Sequence, residues 1–176
     1  MRILGPDDAP RGRAPSRTRL LPAGGGETVH VLVDSATQKV GVEDSAGTLS
    51  VVEVALSPGG GVPDHLHARD DETIYVLEGS LDVRVGDERL SLGVGGCAFA
   101  PRGTLHGFGN PGFAIARLLL ISSPAVTPER AFLELAAGFA VGTNTGRVSP
   151  AGAAAGALAT AFRALAASRD VTLDEV

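Results

Sequence analysis

The residue pair in this chain that most clearly suggests a functional site is His65 and His67, two histidines separated by a single leucine. Residues i and i+2 of a β-strand point to the same side, so both imidazole rings can face one point. Neutral imidazole is the commonest metal ligand, and a carboxylate is a frequent further ligand. Four acids stand nearby in the segment "DHLHARDDE": Asp64, Asp70, Asp71 and Glu72. By itself the pair is a weak signal, because two histidines on one strand face are more often ordinary polar residues.

The elements that would position these side chains are short strands separated by turns, over residues 20–123. The segments "TVHVLVD", "ETIYVLEG" and "GFAIARLLLIS" are rich in β-branched or apolar residues, and "SLDVRVGDERLSL" alternates on either side of a Gly86-Asp87 turn. The chain has 24 glycines and 11 prolines, which favour many turns. Closely spaced strands without alternating helices predict an all-β sandwich or barrel.

The segments on either side of this region have a different character. Residues 1–19 carry Pro, Gly, Arg and Asp without periodicity, which predicts a flexible or extended arm. Residues 124–176 are predicted to be a helical tail, because "ERAFLELAAGF" and "LATAFRALAASRD" place apolar residues at helical spacing. A Thr-Pro or Ser-Pro start signal precedes each of these runs. Such helices would pack against the barrel or against a partner subunit.

Composition and charge argue against several classes of function. The net charge is −5 and no basic patch or stripe is visible, so nucleic-acid binding is not expected. No apolar stretch is long enough to cross a membrane and no signal peptide is recognisable, so a cytoplasmic protein is expected. The single cysteine, Cys97, excludes an internal disulfide framework and is expected to be a buried small hydrophobe. His30 is interpreted as an ordinary strand residue.

Two segments together resemble the paired motifs of the cupins. "GGGVPDHLHARDDETIYVLEG" fits the first motif through Gly59, His65, His67, Glu72 and Gly79. "GGCAFAPRGTLHGFGN" fits the second motif through Gly95, Pro101, Gly103, His106 and Asn110. Both motifs are complete and stand in the right order. The resemblance covers residues 59–110 and implies a cupin jelly-roll β-barrel over residues 20–123, followed by the helical tail.

The resemblance implies four ligands for one divalent transition metal: His65, His67, Glu72 and His106. Nitrogen and oxygen ligands suit Fe, Ni, Mn, Co, Cu or Zn, so ligand type leaves the metal open. Strand parity agrees with the choice of Glu72, whereas Asp64 and Asp71 have the opposite parity. Asp70 shares the parity of Glu72 but lies in the "ARDD" turn, and all three aspartates are interpreted as surface charges. The alternative is a degenerate cupin without metal, whose converging ligands would be buried polar groups without partners.

Within the cupins the chain is most similar to single-domain proteins that resemble quercetin dioxygenases. That likeness implies that Glu72 is both a ligand and a proton acceptor, and it predicts a dioxygenase acting with dioxygen on a small enol or phenol. Two alternatives stay open: a non-redox cyclase, isomerase or lyase of a biosynthetic pathway, and a small-molecule-binding protein without turnover.

Tyr75 has the wrong strand parity to face the pocket, which argues mildly against a large flavonoid as substrate. Phe108 either lines the pocket or packs the barrel. A homodimer is expected.

Overall fold

The computed structural model describes residues 16–31, 34–125 and 171–173, which form two antiparallel β-sheets. Buried residues recur at every second position of the longer strands, as expected where one face of a strand is covered. A short helix, α1 (Val42–Ser45), precedes the third strand. The strands are β1 (Glu27–Val31), β2 (Asp34–Val40), β3 (Ser50–Leu56), β4 (Gly61–His67), β5 (Asp71–Glu78), β6 (Ser80–Val85), β7 (Glu88–Gly93), β8 (Cys97–Ala100), β9 (His106–Gly109), β10 (Ala116–Ser123) and β11 (Val171–Leu173).

The order of the strands is that of a jelly roll. One sheet has six strands in the order β1-β2-β3-β10-β5-β8, and the other has five strands in the order β11-β4-β9-β6-β7. From β3 to β10 the chain crosses repeatedly between the sheets, so most consecutive strands lie in opposite sheets. The predicted all-β jelly roll is therefore confirmed.

Apolar side chains from the inner faces of both sheets fill the interior. Leu56, Ile74 and Leu118 are each at most 2% exposed. Burying an aliphatic side chain of this size contributes about 1.5–3 kcal/mol to stability. The buried core cluster consists of Ala36, Val52, Val54, Leu56, Val62, Ile74, Val76, Leu81, Val83, Leu92, Phe108, Ala116 and Leu118. Because both sheets contribute to this cluster, its packing also fixes the polar residues that the same strands carry inward.

A bulge in β4 decides which of its side chains face the interior. Val62 pairs with Phe108 and His65 pairs with His106, so three steps along β4 match two steps along β9. Strict alternation from Val62 would turn Asp64 inward, whereas the extra residue turns His65 inward instead. Val62 and His65 are both buried, as this reversal of parity requires.

Asn110 ties the turn after β9 to the rest of the barrel. Its side chain is 3% exposed, and Nδ2 donates to Leu56 O at 2.9 Å and to Ala114 O at 2.8 Å. Its Oδ1 accepts a hydrogen bond from Gly112 N at 2.9 Å. The amide thus uses its donor and acceptor groups to join three backbone segments.

Replacing Asn110 with alanine is expected to lower the free energy of unfolding by about 1–3 kcal/mol, because the Leu56 carbonyl loses a buried donor. Urea-induced unfolding of the metal-free protein measures this change. The matched control is Thr48→Ala, which removes one exposed hydrogen bond to Ser45 O. It is expected to change the same free energy by less than about 0.5 kcal/mol. Equal effects in both variants would contradict the role given to Asn110.

The flanking segments can be compared with the predictions only in part. Val171–Leu173, which follow the second predicted helix within the tail segment, form a strand that pairs with β4. Two of the three are β-branched, which suits a strand. The two predicted helices lie in residues 126–170 and most of the predicted arm lies in residues 1–15, outside the described residues. No helix among the described residues is long and apolar enough to span a membrane.

Candidate metal centre

Strands from both sheets bring the four residues of the predicted site together in the interior. His65 and His67 lie on β4, and His106 lies on β9 directly opposite His65. Glu72 lies on β5, which belongs to the other sheet. All four residues are at most 4% exposed. We call these four residues the ligand cluster.

The distances within the ligand cluster suit a single ion. Its candidate ligand atoms all lie within 4.8 Å of one another. His67 Nε2 lies 3.1 Å from His65 Nε2 and 3.4 Å from Glu72 Oε2. His106 Nε2 lies 3.3 Å from Glu72 Oε1. Metal–ligand bonds of about 2.0–2.2 Å separate two ligands of one ion by roughly 3–4 Å. The cluster is therefore close enough to bind one metal ion.

Backbone carbonyls fix the orientation of two of the rings. His65 Nδ1 lies 2.8 Å from Pro63 O, and His106 Nδ1 lies 2.8 Å from Thr104 O. Because a carbonyl oxygen only accepts, each Nδ1 carries a proton, and in the neutral ring the lone pair then lies on Nε2. The Nε2 atoms are the ones that face the other members of the cluster. Ligating histidines are characteristically held in this way, so the orientation of both rings is compatible with metal binding.

Three buried polar atoms of the cluster lack a hydrogen-bond partner among the described residues: His67 Nδ1, Glu72 Oε1 and His106 Nε2. The 3.3 Å approach of His106 Nε2 to Glu72 Oε1 does not have hydrogen-bond geometry. Buried polar atoms without partners are costly, and a cation between these two would satisfy both. The residues present therefore fit a transition metal that accepts nitrogen and oxygen ligands.

Electrostatics in the cluster favour an ionised carboxylate. Burial alone would raise the pKa of Glu72, but the imidazoles of His106 and His67 beside it bring that pKa well below its usual range. Burial lowers the pKa of His65 to about 4, so this ring is neutral near neutral pH. Burial would also lower the pKa of His106, but the neighbouring Glu72 carboxylate outweighs burial and raises it. Without a metal, the cluster therefore favours a proton beside Glu72, and a metal would displace that proton.

The metal-free protein is expected to lose about 1.5–2 kcal/mol of stability as the pH falls from 6.5 to about 5. In this range the unfolded chain protonates His65 near its ordinary pKa of 6.5, whereas the folded chain resists protonation down to about 4. The unfolded state thus binds more protons than the folded state, so the stability of the folded state falls as the pH falls. Protonation of His106 has the opposite effect and stabilises the folded state at lower pH, because its pKa is raised in the folded state. Most of this stabilisation is already present at pH 6.5, so it changes little below that pH.

Urea unfolding in the presence of a chelator, repeated across this pH range, measures the dependence. The control variant His30→Ala lacks an exposed histidine of β1 and is expected to show the same pH dependence of stability. A flat profile in the unaltered protein would contradict the assignment to His65.

The three aspartates of "DHLHARDDE" occupy different surroundings. Asp64 pairs with Arg84 and Asp71 pairs with Arg102, so both are partly exposed ion pairs, in agreement with their prediction as surface charges. Hydrogen bonds from Arg102 lower the pKa of Asp71 to about 2. Asp70 is only 1% exposed, so its prediction as a surface charge was wrong. The signal that was available is its parity, which it shares with the glutamate of the cluster.

Other residues singled out from the sequence lie away from the cluster or in its apolar surroundings. Phe108 is 5% exposed and belongs to the core, so it packs the barrel. Tyr75 is 40% exposed on the outer face of β5, which confirms the parity argument. His30 is an exposed strand residue, as predicted. Cys97 is also exposed, so its prediction as a buried hydrophobe was wrong, because it faces outward on β8, opposite Tyr75.

Comparison with known proteins agrees with this architecture. Residues 52–122 match the family described as the Cupin domain, and this range contains the whole ligand cluster. Residues 52–122 of this chain are therefore a cupin domain. Cupins are often enzymes or small-molecule binders, so a small-molecule ligand is in keeping with the family.

The chain is 37% identical over 106 residues to the tetracenomycin polyketide synthase protein TcmJ of Streptomyces glaucescens. The match covers 60% of this chain and 66% of TcmJ. Among solved structures, the polyketide cyclase RemF from Streptomyces resistomycificus is 24% identical with a TM-score of 0.52, over 64% of this chain and 88% of RemF. KdgF from Halomonas sp. is 20% identical with a TM-score of 0.56, over 64% of this chain and 97% of KdgF. At these identities the two structures show a shared fold.

Proposed function

We propose that this protein is a metal-dependent enzyme that cyclises a small polyketide-type enol without net oxidation or reduction. The observation that carries the proposal is the buried ligand cluster, in which Glu72 is held ionised among three imidazoles. The substrate class is suggested by the relative TcmJ, which is named as a polyketide synthase protein. In this proposal His65, His67, Glu72 and His106 are the metal ligands, and Glu72 is also the proton acceptor.

A divalent metal bound by the cluster would supply Lewis-acid polarisation of a substrate carbonyl or enol oxygen. The residues of the chain supply three neutral nitrogen donors and one carboxylate. With a divalent cation they leave a net positive charge in the interior. Such a charge, held in place before the reaction, favours the enolate form of a β-dicarbonyl substrate.

Glu72 provides the base that this reaction requires. Its carboxylate is 2% exposed and ionised, so it holds no proton of its own and is shielded from bulk water. Because the pKa of Glu72 is lowered, it would accept a proton from a carbon that the bound metal acidifies. The proton leaves the carbon between two substrate carbonyls, and that carbon then forms a bond to a third carbonyl carbon of the same chain. Glu72 returns the proton to the oxygen of that carbonyl. No oxidant or reductant enters the balance, and loss of one water completes an aromatic ring.

The test is turnover of a synthetic linear poly-β-ketone thioester by the full chain. The protein is stripped with chelator and then loaded separately with Zn, Ni, Mn, Co, Cu or Fe(II). The expected product is isomeric with the substrate or lighter by one water, it forms equally with and without oxygen, and it requires metal.

Other outcomes would contradict the cyclase. A product that gains both atoms of dioxygen and forms only in air would favour the predicted dioxygenase, for which the same cluster would serve. Binding of the ketone without any change in its mass would favour a binding protein without turnover. The predicted homodimer is a separate prediction, which light scattering of the purified chain tests directly.

A further inference from the structure

A network of hydrogen bonds that the proposed function has not used joins the loop between β8 and β9 to His67 and Asp71, the two strand residues that flank the loop between β4 and β5. The first loop, residues 68–70, connects β4 to β5, and the second, residues 101–105, connects β8 to β9. Asp71 Oδ1 accepts hydrogen bonds from Arg102 N and from Arg102 Nε, each at 2.9 Å. Asp71 Oδ2 accepts from Arg102 Nη2 at 2.8 Å. One carboxylate thus binds both the guanidinium fork and the backbone of the second loop.

The second loop also touches the ligand cluster through its backbone. Gly103 N donates to the carbonyl oxygen of His67 at 2.7 Å. Thr104 O holds the Nδ1 of His106 at 2.8 Å, which sets the ring that faces Glu72. Asp71 is the residue immediately before Glu72. A single loop is therefore connected to three of the four members of the cluster, and these members come from both sheets.

The ion pair is unsuited to stabilising the whole fold. The side chain of Arg102 is 50% exposed and that of Asp71 is 28% exposed. Exposed pairs contribute little to global stability, since water and salt screen them. A bidentate fork does, however, specify geometry, because two parallel bonds fix both distance and angle. The effect of this ion pair is therefore local: it fixes the position of the second loop relative to β5.

We propose that Asp71 and Arg102 form a positioning pair that holds the second loop against β5 and thereby sets the spacing of Glu72 and His106 for metal binding. This inference rests on the proposed function, in that it assumes that the cluster binds a metal. Residues that orient ligands from outside the coordination sphere typically change metal affinity about 10- to 100-fold when they are replaced. A similar loss is expected here on breaking the pair.

Arg102→Gln gives the decisive measurement. A positive charge near a bound cation repels it, so electrostatics alone predicts that removing the guanidinium tightens metal binding. The positioning role predicts the reverse, with Co²⁺ affinity about tenfold weaker and an altered visible absorption spectrum of bound Co²⁺. Asp71→Asn is expected to weaken binding similarly. The double variant is expected to be no weaker than the weaker single variant, because both changes break one pair.

The experiment is a Co²⁺ titration of the full chain, followed by its absorption spectrum, with thermal unfolding of each metal-free variant. Matched controls are Glu78→Gln, which breaks the exposed Arg117–Glu78 pair at the other end of β5, and Arg117→Gln, which breaks that pair and the Arg117–Glu53 pair. They are expected to leave Co²⁺ affinity within about twofold of the unaltered protein, as expected for a distant exposed pair. The unfolding temperatures of the metal-free Asp71 and Arg102 variants should stay within about 2 °C of that of the metal-free unaltered protein.

Unchanged or tighter Co²⁺ binding by Arg102→Gln would overturn the positioning role, and so would additive losses in the double variant. Failure of the unaltered protein to bind Co²⁺, Zn²⁺ or Ni²⁺ would overturn the metal site and the positioning role together. Tight binding by the unaltered protein without turnover of any ketone would contradict the proposed function alone and leave the affinity comparison valid.

Discussion

Replacing Glu72 with glutamine is expected to reduce turnover by about 10²–10⁴-fold, the range found when a positioned acid–base group is lost. Glutamine has nearly the same shape as glutamate, but its amide carries no charge and does not accept a proton at neutral pH. The buried position gives bulk water little opportunity to replace the missing base, since the Glu72 side chain is only 2% exposed. Initial rates with saturating metal and substrate measure this change.

The metal content of the same preparation separates the two roles of Glu72. If Glu72→Gln retains metal and loses turnover, the residue acts as the base, whereas parallel loss of metal and turnover identifies it chiefly as a ligand. Glu78→Gln, an exposed glutamate at the other end of β5, is the matched control and should keep full activity. Turnover of Glu72→Gln within a few-fold of the unaltered enzyme would contradict both roles.

Replacing His106 with alanine is expected to abolish metal retention through dialysis. The variant loses one of three imidazoles and the ring that faces Glu72 Oε1 at 3.3 Å. Loss of a ligand should cost at least the 10- to 100-fold in affinity that is typical of residues outside the coordination sphere. The measurement is metal per chain by elemental analysis. His30→Ala is the control, because it removes an exposed histidine from β1 and leaves the cluster intact.

Thermal unfolding gives a second measure of the same loss. At a free metal concentration of 100 times Kd, binding stabilises the unaltered protein by about 2.7 kcal/mol. If the Kd of His106→Ala is 100-fold higher, the same concentration stabilises it by only about 0.4 kcal/mol. Each variant is compared with its own metal-free form, so any effect of the substitution on the empty fold cancels. Equal stabilisation of both proteins would contradict His106 as a ligand.

Much of the ligand cluster was predictable because its signals are local or belong to a recurrent motif. His65 and His67 share a strand face by simple alternation, and that holds in the structure. The outward position of Tyr75 followed from the same rule. His106 has no local signal, since it is distant in sequence, and only the second cupin motif identified it. The ligand role of all four residues, and the identity of the metal, stay predictions.

Errors arose where the surroundings of a residue depend on distant parts of the chain. Asp70 was assigned to the surface because strand alternation need not hold in the "ARDD" turn, yet it is buried. Cys97 was assigned to the interior because its neighbours are apolar, yet it lies on the outer face of the edge strand β8. In both cases exposure depends on what packs against the residue, which sequence neighbours do not specify.

The amino-acid sequence by itself predicted the strand pattern and an all-β fold, and its resemblance to the cupin motifs implied the jelly roll and the four clustered residues, because alternation and motif spacing are properties of short segments. Only the tertiary structure decided the bulge that turns His65 inward, the carbonyls that orient the imidazoles and the pairing of Asp71 with Arg102. Each of these depends on the register between strands or on contacts between loops. Such contacts join residues far apart in the chain, and their geometry is set by the packing of the two sheets.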